Sequence, residues 1–414
     1  MIDLAWIEAA LTSARPQALG ALMRYFRDLD LAEEAFQNAS LRALKSWAEN
    51  GPPRNPAAWL ILVGRNTAID QRRREKKLAP LTESDVPSVE PALAERLDDA
   101  HYRDDVLRLL FICCHPELPP AQQVALALRI VSGVSVRQIA RAFLVSEAAM
   151  EQRITRAKQR IAAADVPFEA PDAFERAARL GVVCAMIYLI FNEGYSAGRE
   201  DADRSALCGE AIRLARLLAR MFAGEPEVMG LTALLLLQHA RAPSRFDVDG
   251  QVVLLDAQDR SKWNRTHIAE GLAMLDKAIR HRQPGPYQLQ AAIAALHARA
   301  TRPEDTDWAE IDLLYAALER LDPSPVITLN RAVAVAKARG PVDALAMIEP
   351  LADVLDRYFH FHGVRGGLLL QLGRATEARS AFDRAIALAG TAAEAAHIRM
   401  HLDRLQADSK KQRA

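Results

Sequence analysis

Cysteine is scarce in this sequence. Four residues in 414, at positions 113, 114, 184 and 208, exclude a disulfide framework. A prevailing charge is also missing, since 53 Lys+Arg stand against 53 Asp+Glu. That balance excludes bulk electrostatic coating of nucleic acid or membrane, although it leaves room for a local basic site. Long apolar runs are absent: the longest uncharged one, Leu180 to Phe191, is shorter than the ~20 residues of a membrane-spanning helix. Asp3 and Glu8 fall where a secretory signal would carry its basic and apolar regions. A reducing cytoplasm is the expected compartment, with no membrane partner. Aromatics make up 6% of the chain, and β-branched or aromatic alternation is rare, so little sheet is expected.

What is present is helical. Apolar residues recur at helical spacing nearly throughout, as in Leu19, Leu22, Met23 and Phe26, or Leu207, Ile212, Leu214, Leu217 and Leu218. The expected fold class is all-α. The length suits two or three domains of roughly 100–200 residues each. Punctuation divides the chain. Residues 78–91, LAPLTESDVPSVEP, hold three prolines and no helical stripe, and they read as a linker. A second break lies between Asp165 and Asp172. The expected division is 1–77, a linker at 78–103, then 104–165 and 166–414. Two basic helix segments hide within the zero net charge. Residues 65–77 carry Arg65, Arg72, Arg73, Arg74, Lys76 and Lys77, and residues 153–160 carry Arg153, Arg156, Lys158 and Arg160.

The most informative local pattern is 135–161, SVRQIARAFLVSEAAMEQRITRAKQRI. Ile139 and Ala140 sit on a first helix, a turn follows at Phe143–Val145, and Ser146 is placed to N-cap a second helix. Met150, Ile154, Ala157 and Ile161 then form one buried stripe, turning Glu147, Glu151, Gln152, Thr155 and Lys158 elsewhere. That is the pattern of a helix-turn-helix that enters the major groove. Gln152 suits a base edge, because a side-chain amide bonds adenine bidentately. Arg153, Arg156, Lys158 and Arg160 suit phosphates, which position a protein without reading sequence. The plainer alternative is a helical hairpin with a solvated basic face. Trp59 precedes the other basic helix; within AWLILV it reads as core rather than as a platform for an unpaired base.

Together these residues resemble the extracytoplasmic-function sigma factors of bacterial RNA polymerase. Residues 19–77 are similar to region 2 through DLAEEAFQ (30–37), NPAAWL (55–60) and RNTAIDQRR (65–73). Residues 104–162 are similar to region 4, ending in EQRITRAK (151–158). The resemblance implies that Glu33, Glu34 and Gln37 dock on core RNA polymerase. It implies that Arg65, Asn66, Arg72, Arg73 and Arg74 meet the −10 element of promoter DNA. Ser146, Gln152, Arg153, Arg156, Lys158 and Arg160 then face the −35 element. Three positions depart from the pattern: Asn38 replaces a more usual Glu, Ser40 an apolar residue, and Leu144 a glycine in the turn.

The remaining C-terminal residues resemble the subgroup with a fused tetratricopeptide-like helical domain. The resemblance rests on GGLLLQLG (366–373), Ala378, Phe382 and Ala385, on Gly340 preceding Gly373 near the repeat period, and on Tyr315, Leu318 and Pro323. Such arrays bind a peptide or protein face, and this one is expected to regulate the sigma modules in cis. Two further segments, YLIFNEGY (188–195) and DAQDRSKWN (256–264), mix aromatics with acids and amides. They form either a ligand site or interface, or a buried polar network between helices, with the last favoured.

No cofactor, metal or catalysis is expected. Cys113-Cys114-His115 follows the apolar LRLLFI without a second ligand pair, and His397 and His401 lack a third ligand. An enzyme built on Asn192, Glu193, Asp256 and Asp259 would lack a nucleophile–base pair and a phosphate loop. The competing binding function is a helix-turn-helix regulator with a repeat sensor domain that does not join polymerase. Such a regulator needs neither the acidic 33–37 helix nor the basic 65–77 helix.

Overall fold

The structure, a computed structural model, describes residues 5–51, 53–77, 99–115, 117–143, 145–164, 173–196, 202–248, 250–389 and 398–399. Leu144, His397, His401 and most of the expected linker lie outside the described residues. Among the described residues there are 17 α-helices, and the only extended pairing is an isolated antiparallel bridge, Phe246 to Val252. The fold class is all-α, as the periodicity requires. None of these helices is long and apolar enough to cross a membrane. The chain forms two compact units, 1–194 and 195–414.

The first unit begins with α1 (Ala5–Phe26), α2 (Leu29–Asn50) and α3 (Pro56–Lys77), which pack on one another. Asp28 caps α2 by accepting the Asp30 and Leu31 N–H groups at 2.9 and 3.1 Å. Leu29, Ala32, Ala35, Phe36, Ala39, Ala43 and Trp47 line the buried face of α2. Trp59 packs edge-on against Trp47, with ring centroids 5.3 Å apart, so it belongs to this core. Four more helices follow: α4 (Asp99–Cys113), α5 (Pro120–Ile130), α6 (Val136–Ala142) and α7 (Glu147–Ala163). Helix α4 starts inside the expected linker, because no proline lies between Pro91 and Cys113 and Asp99 suits a helix N-terminus.

Helix α8 (Ala173–Tyr195) completes this unit up to Gly194. Its Met186 Sδ lies 3.2 Å from Cys114 Sγ. Cys113 and Cys114 are fully buried, and burial pushes both thiols well above the usual range, so they pack as apolar groups. The compact unit thus extends past residue 165, where the sequence breaks.

The second unit contains α9 (Ala202–Met221), α10 (Pro226–His239), α11 (Arg265–Ile279) and α12 (Pro286–Arg299). Every residue of α10 from Pro226 to Leu237 is buried except Glu227, and α9, α11 and α12 pack around it. Glu227 caps α12, accepting the Tyr287 and Gln288 N–H groups at 3.0 and 3.1 Å. Five helices follow: α13 (Trp308–Leu321), α14 (Pro325–Ala338), α15 (Pro341–Ile348), α16 (Phe359–Gln371) and α17 (Ala375–Leu388).

Gly340 and Gly373 each have positive φ, 111° and 73°, and each turns the chain between two packed helices. Their spacing in the sequence is the spacing of these equivalent turns. Within the last pair, a Cβ on Gly366 would lie 2.5 Å from the Phe382 ring, so α16 and α17 meet at that glycine. Phe382→Ala should therefore destabilise the second unit by about 3–5 kcal/mol through the cavity it leaves. Urea unfolding followed by circular dichroism measures this loss. A change below 1 kcal/mol would show that the ring is not a packing element.

Candidate functional site

Helices α6 and α7 are each capped by a serine. Ser135 accepts the Gln138 N–H at 3.2 Å while the Gln138 side chain accepts the Ser135 N–H at 3.1 Å, a reciprocal box. Ser146 accepts the Ala149 N–H at 3.2 Å. Its hydroxyl therefore fixes where α7 begins. Met150, Ile154, Ala157 and Ile161 are buried as one stripe. Glu147, Glu151, Gln152, Thr155, Arg156 and Arg160 are exposed, and Arg153 is half-buried. The outer face of α7 thus presents an amide and cations on a rigid helix, the arrangement that groove recognition uses.

Lys158 is placed differently from its neighbours. Its Nζ donates to Asp30 Oδ1 at 2.7 Å and to Glu33 Oε2 at 2.9 Å, both on α2. Burial opposes its charge, but the hydrogen bonds to Asp30 and Glu33 outweigh that and raise its pKa above the ordinary lysine value.

Glu33, expected at a docking surface, is only 5% exposed. Besides Lys158 it meets Arg129 Nη2 at 3.2 Å and Arg15 Nη2 at 3.7 Å. Arg15 also donates to the carbonyls of Ile130 at 2.8 Å and Arg129 at 3.2 Å, at the C-terminal end of α5. Its own pKa is lowered to about 10, by burial above all. Sequence reasoning treated Glu33 and Glu34 alike. The distinguishing signal was available: Leu29, Ala32 and Phe36 place Glu33 on the apolar face of α2.

Glu34 and Gln37 do lie on the outer face of α2. Leu41 and Leu44, 61% and 41% exposed, continue the same face. Sequence reasoning missed these two leucines, whose spacing of four and seven residues from Gln37 is the signal that finds them. Ser40 donates to the Phe36 carbonyl at 2.8 Å, which satisfies a hydroxyl where an apolar side chain is more usual.

On α3, Arg65 and Asn66 are half-buried. The Arg65 guanidinium lies 5.7 Å from the ring of Tyr25, which is itself 54% exposed. Helix α3 continues to Lys77, but the side chains of Arg72, Arg73 and Arg74 lie outside the described residues.

Tyr195, the last residue of one mixed polar segment, and the 256–264 segment take part in the packing of the second unit. Arg241 donates to the Tyr195 hydroxyl at 2.8 Å, and the Arg245 guanidinium lies 3.6 Å from the Tyr195 ring centroid. Arg260, 6% exposed, donates to the carbonyls of His297 at 2.8 Å and Ala300 at 2.6 Å, closing the C-terminal end of α12. Asp259 accepts the Ser261 N–H at 3.0 Å, and Trp263 Nε1 donates to Ser244 at 2.8 Å. Asp256 pairs with Lys337 at 2.7 Å. Asp256 and Asp259 therefore have structural partners. Among the described residues no group of three or more His, Cys, Asp or Glu side chains is placed to hold a metal ion.

Comparison with known proteins adds three family matches and one relative. Residues 11–78 match the family model of sigma-70 region 2, and residues 108–161 match that of sigma-70 region 4. Residues 179–279 match a family of unknown function, DUF6596. Across 413 residues the chain is 69% identical to an uncharacterised protein of Rhizobium meliloti (strain 1021), covering 99% of this chain and 98% of that protein.

The second unit should be sensitive to acid. His297 lies edge-on to Trp308 with ring centroids 5.2 Å apart, and burial, followed by Arg241 and Arg260, lowers its pKa to about 4. An imidazole kept neutral in the fold stabilises it above the unfolded value near 6.5, and that stability is lost as pH falls toward 4. At pH 5 the loss is about 2 kcal/mol relative to pH 7. Urea titrations of the wild type and of His297→Asn at both pH values measure it. An equal pH dependence in the two proteins would refute the assignment.

Proposed function

The chain belongs to the sigma-70 family, as a factor of the extracytoplasmic-function type with a helical domain fused behind region 4, and from that premise we propose how its residues divide the work. As a sigma factor it directs transcription, with core RNA polymerase and promoter DNA as partners. Residues 1–77 form the polymerase-docking and −10 module, and residues 104–165 form the −35 module. Glu34 and Gln37 dock on polymerase, with Leu41 and Leu44 supplying the apolar part of that contact. Glu33 stands behind them. Arg65, Asn66, Arg72, Arg73 and Arg74 line the −10 surface along α3. Gln152 reads a base of the −35 element, while Arg153, Arg156, Arg160 and, once released from α2, Lys158 hold its phosphates.

The observation that carries this reading is the exposed Gln152, Arg156 and Arg160 above the buried stripe of α7. A helix-turn-helix regulator acting without polymerase would use that face equally. The exposed row Glu34, Gln37, Leu41 and Leu44 favours the sigma reading, because a free-standing regulator has no use for it. The helical domain regulates the two modules in cis and takes a peptide or protein face as its ligand, in the cytoplasm. In support of the cis arrangement, α8 of the first unit packs on Cys114 of the −35 module and lies next in sequence to the second unit.

Arg156→Ala should weaken −35 duplex binding on every sequence and reduce its logarithmic salt slope by about 1. Gln152→Ala should instead change base preference at one position. Fluorescence anisotropy on a panel of duplexes separates the two, and identical behaviour of the variants would contradict the division of roles. The second measurement is binding to core polymerase followed by transcription from a matched promoter. Leu41→Asp should lower polymerase affinity at least ten-fold, corresponding to about 1.4 kcal/mol. Ending the chain after Gly194 should change promoter-specific transcription. Unchanged activity and unchanged polymerase affinity in the shortened chain would end the regulatory reading.

A further inference from the structure

Three arginines of the second unit carry charge without an acid beside them. Arg241, Arg245 and Arg260 have no carboxylate partner among the described residues. Arg245 donates to the Tyr195 carbonyl at 2.5 Å, and Arg260 to carbonyls at the C-terminal end of α12, so helix-end dipoles offset part of both charges. Arg241 lacks such an offset. Its Nη2 donates to the Tyr195 hydroxyl and to Gln238 Oε1, both neutral, and its remaining side-chain donors have no partner among the described residues. The same neighbourhood holds two buried polar atoms without a hydrogen-bond partner, Arg260 Nε and His297 Nδ1. The acids within electrostatic reach of Arg260 are engaged elsewhere. Asp256 pairs with Lys337 at 2.7 Å, and Asp305 and Glu304 with Arg302 at 2.8 and 3.5 Å.

From these unmatched groups we propose that the second unit binds a small oxyanion, a molecule presenting a carboxylate or a phosphate, at Arg241 with Arg260 and His297 beside it. Water would satisfy an orphaned donor but not a charge, whereas an oxyanion does both. Arg241 is the centre because the other cations all feel it. Burial, then Arg241, then Arg260 hold the His297 imidazole down to about 4. Burial also lowers Arg245 and Arg260, and Arg241 lowers each of them further. Facing an anion, His297 Nδ1 is the protonated nitrogen of a neutral ring and donates. Trp308 lies edge-on to His297 at 5.2 Å, and Trp263 lies 5.1 Å from the Arg260 guanidinium, so two apolar rings flank the polar groups. The ligand would join the loop that carries Arg241 and Arg260 to the end of α12. All of these residues belong to the second unit, so the site stands apart from the polymerase and promoter contacts.

The test is isothermal titration calorimetry of the full chain in a buffer free of other oxyanions, with inorganic phosphate in one series and succinate in another. At least one probe should fill a single saturable site with Kd below about 1 mM. Tighter binding of phosphate names the ligand as a phosphate compound, and tighter binding of succinate names it as a carboxylic acid. Arg241→Gln should weaken binding at least ten-fold. Arg374→Gln, which removes an exposed arginine paired with Glu377 elsewhere in the unit, should leave it unchanged. Asp256→Asn takes away a competing carboxylate and should tighten binding about three-fold, a gain that a misfolded chain does not produce. No saturable heat with either probe would overturn the proposal. Equal affinities in Arg241→Gln and Arg374→Gln, or no tightening in Asp256→Asn, would overturn it too. The measurement needs neither polymerase nor DNA, so failure of the sigma reading leaves its outcome unaffected.

Discussion

A carboxylate with 5% exposure must be neutralised where it lies, and Glu33 draws its counter-charges from three helices. Removing one partner of such a buried pair typically costs about 3–5 kcal/mol, far more than an exposed pair contributes. The site therefore fixes more than one side chain. Arg15 must stay at the carbonyl end of α5, Arg129 must face α2, and α7 must lie with Lys158 inward. Once those positions are set, Gln152, Arg156 and Arg160 are left on the outer face of the same helix. Satisfying this one acid ties α1, α2, α5 and α7 to one another.

This constraint gives the neutral composition a meaning. Charges of the two signs are segregated along the chain and then brought together in the fold. Part of the cationic surface of the region 4 helices, at Arg129 and Lys158, faces the acidic helix α2 of region 2 rather than solvent. The exposed leucines on α2 add an apolar patch, whose interactions act at short range and need no long-range field.

The second unit solves a different problem, stacking helix pairs without a sheet. Its devices are small residues at crossings, positive-φ glycines at the turns, and charged side chains closing helix ends. Gly366 under Phe382, Gly340 and Gly373 at equivalent turns, Glu227 on α12 and Arg260 on the far end of α12 are examples. The 256–264 segment, which mixes aromatic and polar residues, serves this stacking. Arg260 and Trp263 are buried where backbone carbonyls and Ser244 accept their hydrogen bonds.

What the sequence determined was everything governed by neighbours within one or two helical turns. The all-α class, the Ser146 cap, the buried stripe of α7, the two sigma modules and the equivalent glycine turns are all local periodicity and local hydrogen bonding. Tertiary structure alone decided which exposed-seeming charges are spoken for. Lys158 and Glu33 are 125 positions apart, and Arg15 and Ile130 are 115 apart. The same is true of Cys114 against Met186, which carries the first compact unit past the sequence break into α8. A helix pattern states that a residue is near the edge of an apolar stripe, but not which partner covers that edge. The covering depends on how whole helices cross, and crossing is set by the summed packing of residues distant in the chain.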